Sequence, residues 1–371
     1  MTYHFFTFIY DGIAYDDRLS MSIEESKLLN NYTIITSKSH FEHDNLILIK
    51  STSYIDFCFK SLKFIKKNYS SRTNLIFNEH NSFLILLLSI LRFHNVLKIY
   101  NLYSLDTQFF LESGWNSDPN SKLSNKHNLI SFKNSFKSFI ERVLAIWSCD
   151  FILSNNPKIS KEFLFSKRKY FFVNSSFSLE KYNSIKIEKS DFKFDNDYKY
   201  LLYVGNIKPE KGIATLIKSY SKLKSMGKFK LILIGKSSEI EIQWLNKLLQ
   251  QYNVNDVIYL GKLKYNQLKF YYKNCNIFIL PSFYEGSPRV LKEAMYFPIN
   301  ITASRIDGNT VLDAKEERIK FFTKGDSSEL TQTILNFSDS NYVQSKYILD
   351  KFDSNIIAKN RIKIYKNEFI T

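Results

Sequence analysis

Four short apolar runs in the second half of the chain, YKYLLYVG (198–205), FKLILIG (229–235), DVIYLG (256–261) and NIFILPS (276–282), are spaced by segments of helical length. Apolar runs of this length bounded by glycine or turn residues read as buried strands. The intervening GIATLIKSYSKLKSM, EIEIQWLNKLLQQY and NQLKFYYKN place apolar residues three and four positions apart, the mark of helices packed on a sheet. Strand–helix alternation predicts an α/β fold with a parallel, doubly wound sheet.

The first half repeats the pattern less cleanly, with strand candidates at HFFTFIY, YTIITS, NLILIK, TNLIFNE, VLKIYN and DFILSNN. At 371 residues and 44% hydrophobic, the chain can fill two cores. Around 176–197 the pattern dissolves into Ser, Lys, Asp and Asn. The expected organisation is therefore a Rossmann-like domain over 1–178, a linker over 179–197, a second Rossmann-like domain over 198–352 and a terminal helix in 353–371, with a cleft between the domains.

Three scattered cysteines, Cys58, Cys149 and Cys275, suggest neither a disulfide framework nor a zinc site and fit a reducing compartment. The N-terminus MTYHFFTFIY lacks the basic region of a signal peptide. FLILLLSIL (83–91) is half the length of a bilayer span and reads as a buried helix. The formal net charge of +16 invites a nucleic-acid reading. Yet Lys, Asn, Ile, Phe and Tyr are all frequent, as AT-rich coding bias produces, and no nucleic-acid-binding signature accompanies the charge. No nucleic-acid partner is expected.

In doubly wound sheets ligands sit beyond the carboxyl ends of the strands, where loops open helices. PSFYEGSPRVLKEAM (281–295) is such a place, with Pro288 suited to a first helical turn. The amides of Arg289 and Val290 at that helix start are suited to phosphate. Glu293 lies four residues after Arg289 on the same helical face, while Glu285 sits in the loop before it. By itself this also fits a bland reading, a loop carboxylate and a solvated partner of Arg289. The first strand of this half, however, also ends in a basic loop, GNIKPEKG (205–212), where Lys208 and Lys211 can neutralise a diphosphate.

With both loops in place, residues 198–335 resemble the retaining glycosyltransferases of the GT-B fold, family 4. Gly205 with Lys211 looks like the family's G-R-x-x-x-x-K-G diphosphate loop, with Asn206 where the arginine usually stands; Gly261, Lys262 and Leu263 resemble the loop that reads the nucleotide base. Glu285 and Glu293, with Gly286 and Ser287 in the turn, match its E-x7-E motif. The resemblance implies that Glu285 binds donor-sugar hydroxyls, Glu293 binds the ribose and Lys211 faces the diphosphate, with Arg289 or Lys208 as the candidate substitute for the missing arginine. It also implies a terminal helix that crosses back to the first domain. Further departures are Pro298 and Asn300 after the motif, Asp307-Gly308 for a Gly-Gly, and Val311 where a glutamate often follows.

The first half is expected to bind the acceptor. Its glycine-rich loop is reduced to Asp11-Gly12, followed by Asp16, Asp17 and Arg18, and His80 in NEHN is a candidate for the transferred sugar or an acceptor hydroxyl. Tyr100, Asn101 and Asp106 follow the next strand. The histidines form no metal-ligand cluster and no Asp-x-Asp is placed as a metal-dependent transferase would carry it, so no metal and no cofactor are expected, only a nucleotide-sugar donor. The implied reaction transfers a sugar to a saccharide or lipid-linked oligosaccharide acceptor in cell-surface polysaccharide or lipopolysaccharide synthesis. Rival readings are a sugar-nucleotide epimerase, an inactive nucleotide-binding paralogue, and a phosphorylase-like enzyme whose pyridoxal-phosphate lysine the sequence gives no way to identify.

Residues 121–170 hold ten Lys/Arg against three Asp/Glu, whereas residues 1–57 hold four against eight. In the basic stretch Phe132, Phe136, Phe139 and Val143 recur at helical spacing near Lys133 and Lys137, and Phe163, Phe165, Tyr170 and Phe171 surround Lys167, Arg168 and Lys169. The expected location is cytoplasmic and peripheral, on the anionic inner face of the cytoplasmic membrane.

Overall fold

The computed structural model describes residues 3–10, 17–37, 43–69, 74–79, 83, 85, 87, 96–102, 143–155, 169–337 and 351–370. These fall into two compact units, one holding the described residues as far as Leu179 together with 351–370, the other those from Glu180 to 337.

The first unit is built on a seven-stranded parallel sheet of β1 (Tyr3–Ile9), β2 (Tyr32–Thr36), β3 (Leu46–Leu48), β4 (Asn74–Glu79), β5 (Val96–Leu102), β6 (Phe151–Ser154) and β7 (Lys169–Phe172). Their order across the sheet is β3-β2-β1-β4-β5-β6-β7. Successive side chains of a strand face opposite ways, and both faces here are apolar. Phe5, Ile9, Ile76, Ile99 and Leu153 join a core with Tyr365 and Ile362, while Phe6, Phe8, Phe77 and Ile35 join one with Phe57, Leu62 and Ile65. Helix α1 (Asp17–Leu28) serves the first core and α2 (Tyr54–Asn68), opened by the side chain of Ser53 accepting from the Asp56 amide, serves the second. A short α3 (Leu179–Ser184) follows the sheet.

The second unit carries a six-stranded parallel sheet of β8 (Lys199–Val204), β9 (Phe229–Ile234), β10 (Ile258–Tyr259), β11 (Ile277–Leu280), β12 (Asn300–Ser304) and β13 (Ile319–Phe322), in the order β10-β9-β8-β11-β12-β13. Its helices are α4 (Ile213–Met226), α5 (Glu239–Gln251), α6 (Tyr265–Asn274), α7 (Arg289–Met295), α8 (Asp307–Thr310) and α9 (Ser327–Leu335). Residues 185–197 carry no regular element but are seated on α6. Ser190 Oγ is 3.0 Å from Tyr271 Oη, and the Phe194 ring lies 4.7 Å from that of Tyr200 and 5.8 Å from that of Phe270.

The last helix, α10 (Ser354–Tyr365), returns to the first unit and packs on α1. Its Arg361 meets Glu25 of α1, each at most 2% exposed. Glu25 also accepts from Tyr32 Oη at 2.5 Å and Tyr365 Oη at 3.2 Å. A buried carboxylate is tolerated only when paired and hydrogen-bonded, and this one is both. Burial, then the nearby Glu25 charge, hold the Tyr32 hydroxyl well above the ordinary tyrosine range, so it stays a donor.

All ten strand runs named from the sequence form strands. The sequence pattern does not flag β7, β12 or β13. Each has four or five residues, and NITAS and KYFF lack the long apolar run that marks a central strand. Of FLILLLSIL, only Phe83, Ile85 and Leu87 are described; they are helical, and Ile85 and Leu87 are buried.

Candidate active site

In the second sheet the chain runs outward from β8 through β9 to β10, then returns to the other side of β8 as β11. The winding direction therefore reverses between β8 and β11, and in such sheets ligands bind outside the carboxyl ends of the strands at that point. The loop after β8 carries Lys208 and Lys211; the loop after β11 carries Glu285.

The two loops meet. Lys211 Nζ donates to Glu285 Oε1 at 2.6 Å, and Ser282 Oγ donates to the same oxygen at 2.8 Å. The Phe283 amide donates to the Glu210 carbonyl at 2.9 Å, tying the backbones together. Lys211 closes a 3-10 turn, Pro209–Lys211, and Gly212 then enters α4 with φ of 69°, a left-handed conformation open to glycine. Glycine is needed for a second reason: a Cβ at 212 would lie 2.0 Å from the Pro281 carbonyl oxygen. Lys211 and Glu285 keep side-chain exposures of 25% and 15%, so the pair is reachable from solvent. An ammonium has three donors and a carboxylate about four acceptor sites; Lys211 can grip a phosphate oxygen, and Glu285 a sugar hydroxyl, without first parting.

A second constellation forms on α7. Arg289 Nε donates to Glu293 Oε1 at 3.0 Å, and Tyr272 Oη of α6 donates to Glu293 Oε2 at 3.2 Å. The Arg289 guanidinium also stacks over the Tyr265 ring at 4.8 Å. The bland reading of Glu293 as a solvated helix partner is half right: Arg289 is its partner, but Glu293 is 2% exposed. Burial, and then the Glu293 charge, push the Tyr272 hydroxyl well above its ordinary range, keeping it protonated as a donor.

Other predicted residues frame these two groups. The Gly205 amide donates to Ile234 O and the Gly235 amide to Gly261 O, bringing the loops after β8, β9 and β10 side by side. Lys262 is exposed and Leu263 half-buried beside Gly261. Asn206 is exposed, and its carbonyl accepts from Tyr203 Oη at 2.9 Å. Lys208 turns toward Glu241, 3.9 Å away, rather than toward Glu285. Gly286 and Ser287 are half-buried in the turn; Pro288 is the residue before α7 rather than part of its first turn, so the helix opens at Arg289 and Val290. His80, Asp11, Gly12, Asp16 and Asp106 lie outside the described residues.

Three contributors, Ser282, Tyr272 and Ser304, carry no clear sequence signal, and a fourth, Gly308, is marked in the sequence only as the remnant of a Gly-Gly. Ser282 and Tyr272 anchor the two glutamates, but nothing distinguishes Tyr272 from Tyr271 before α6 is seated. Ser304 Oγ donates to Ser282 O, fixing the loop start. Gly308 of α8 packs so closely that a Cβ there would lie 1.9 Å from the Glu285 carbonyl oxygen.

Residues 184–348 match the family model described as Glycosyl transferases group 1. Over those residues the second unit is similar to that family. The chain is 29% identical over 196 residues, 50% of each chain, to the capsular polysaccharide biosynthesis glycosyltransferase CapM of Staphylococcus aureus. The match spans about half the length of the curated relatives. Across the whole chain the fold is similar to sucrose-phosphate synthase from Thermosynechococcus elongatus, with TM-score 0.72, 16% identity and 99% of each chain covered. It is also similar to Anabaena HepE solved with UDP-glucose, with TM-score 0.66, 14% identity, and 98% of this chain and 99% of that one covered. Two parallel-sheet α/β units, as in these structures, are those of the GT-B fold. Glu285, Glu293 and Lys211 all lie within the residues that match the family model.

Proposed function

We propose that the chain transfers a sugar from a nucleoside-diphosphate donor to a saccharide acceptor with retention of anomeric configuration. The observation that carries this reading is the Lys211–Glu285 pair at the winding reversal of the second unit's sheet, with the Arg289–Glu293–Tyr272 group on the helix that follows. Glu285 would hold hydroxyls of the donor sugar and Glu293 those of the ribose. As the bond to the anomeric carbon breaks, negative charge grows on the leaving diphosphate and positive character on the sugar. Fixed cations at the phosphate stabilise that state without a protein nucleophile. Lys211 supplies one cation, and the first-turn amides of α7, which have no intrahelical acceptor, add to it.

The solved neighbour with UDP-glucose supports a nucleotide-sugar donor, and the capsular relative supports a polysaccharide product. A lipid-linked saccharide as acceptor, presented at an anionic membrane surface, is the finer part of the proposal. Among the described residues no helix is long and apolar enough to cross a membrane, so reaching such an acceptor would require docking. The test is a panel of UDP-, GDP- and dTDP-sugars scored for thermal stabilisation, followed by product analysis with the stabilising donor. A free epimerised nucleotide sugar as product would replace transfer with epimerisation, and no stabilisation by any donor would favour an inactive paralogue.

A further inference from the structure

We propose that the helical layer on one face of the first unit's sheet, centred on α2, docks onto an anionic lipid bilayer. The inference rests on the membrane-docking part of the proposed function and assigns it a surface. The inner side of α2 is ordinary core: Phe57, Cys58, Leu62 and Ile65 are at most 4% exposed. Its outer side is not ordinary, because Ile55 and Phe59, one turn apart, are 55% and 52% exposed. Single exposed apolar residues are common, but neighbouring ones on one helical face mark an interaction surface.

A second helix on the same sheet face repeats the arrangement. In the helical residues 143–148, Ala145 and Ile146 are fully buried in a core with Tyr100 and Ile152. Strand pairing Phe77 with Lys98 and Tyr100 with Ile152 places this core on the sheet face that α2 covers. Leu144 and Trp147 of this helix are 48% and 63% exposed. This layer thus carries exposed large apolar side chains over β1, β2 and β4 and again over β5 and β6.

Charge selects the occupant. Lys60, Lys63, Lys66 and Lys67 are all exposed on α2, and its one acid, Asp56, is held by Lys60 at 2.8 Å. Three lysines therefore border the apolar ridge without an acid on their own helix. A second copy of this face would bring like charges together, whereas an anionic bilayer accepts apolar side chains among its acyl chains and ammonium groups among its phosphates. The Lys167–Arg168–Lys169 cluster expected from the sequence to dock lies outside the residues whose side chains are described.

Co-flotation of the full chain with phosphatidylcholine vesicles, with and without phosphatidylglycerol, tests the assignment. The unaltered chain is expected to float only with phosphatidylglycerol and to be released by salt. Ile55→Ser with Phe59→Ser, and separately Lys63→Glu with Lys66→Glu and Lys67→Glu, should each weaken flotation by at least about tenfold, with nucleotide-induced stabilisation of the second unit unchanged. Flotation of both variants at the unaltered level overturns the α2 assignment and leaves peripheral docking standing, and loss only in Lys167→Glu with Arg168→Glu and Lys169→Glu does the same. No flotation of the unaltered chain overturns both, whereas a concentration-dependent dimer that Ile55→Ser with Phe59→Ser abolishes overturns the α2 assignment.

Discussion

The ammonium of Lys211 and the carboxylate of Glu285, 74 residues apart in the chain, meet at 2.6 Å because β8 and β11 are neighbours in the sheet. If Lys211 serves both Glu285 and a donor phosphate, Lys211→Ala should lower donor affinity and turnover together. A hydrogen bond to a charged group is worth about 1.5–3 kcal/mol, which corresponds to roughly ten- to a hundredfold in kcat/KM. Glu285→Ala, by contrast, should lower turnover while nucleotide affinity changes little. Steady-state kinetics with titration of the free nucleoside diphosphate separates the two, and unchanged kinetics in both variants would remove the pair from the reaction.

Glu293 is expected to act on binding. Glu293→Ala should weaken nucleotide affinity by about 1.5–3 kcal/mol, and Tyr272→Phe, which loses one donor to the carboxylate, by about 0.5–1.5 kcal/mol. Calorimetric titration with the nucleoside diphosphate reads both. Wild-type affinity in Glu293→Ala would make the buried carboxylate purely a structural partner of Arg289.

Gly308 has no functional atom to lose, yet Gly308→Ala should impair the enzyme. The added methyl must push back the Glu285 backbone, at a cost of about 1–3 kcal/mol typical of overpacking, and should depress kcat more than nucleotide affinity. Equal kcat in this variant, measured alongside urea denaturation, would show that the Glu285 loop tolerates displacement.

Much of this arrangement is legible in the sequence. The runs YKYLLYVG and NIFILPS announce β8 and β11, and the spacing from Arg289 to Glu293 announces their bridge, because strand periodicity and the helical repeat are local properties. What is not legible is adjacency: nothing in GNIKPEKG says that Lys211 will face Glu285 rather than solvent, since that depends on which strands pair. Tyr272 is hidden for the same reason, acting through a contact with a residue of another helix, and so is the close approach of Gly308 to the Glu285 carbonyl. The short strands β12 and β13 escape because tertiary pairing, not their own apolar content, makes them strands.

The Glu25–Arg361 pair was equally invisible, joining residues 336 positions apart. Removing one partner of a buried pair leaves an uncompensated charge, at a cost of about 3–5 kcal/mol. Arg361→Met should therefore destabilise the protein by that amount in chemical denaturation, whereas Glu25→Leu combined with Arg361→Met should cost less than the sum of the single changes. Strict additivity would show the two side chains to be uncoupled.

The central claim, nucleotide-sugar transfer with retention at the β8–β11 reversal, is tested most directly by proton NMR of the reaction product. Incubation with the α-linked nucleotide sugar that best stabilises the protein, plus a saccharide acceptor, should give an α-linked product and free nucleoside diphosphate, both lost in Glu285→Ala. A β-linked product, or transfer that survives Glu285→Ala and Lys211→Ala unchanged, would contradict the account.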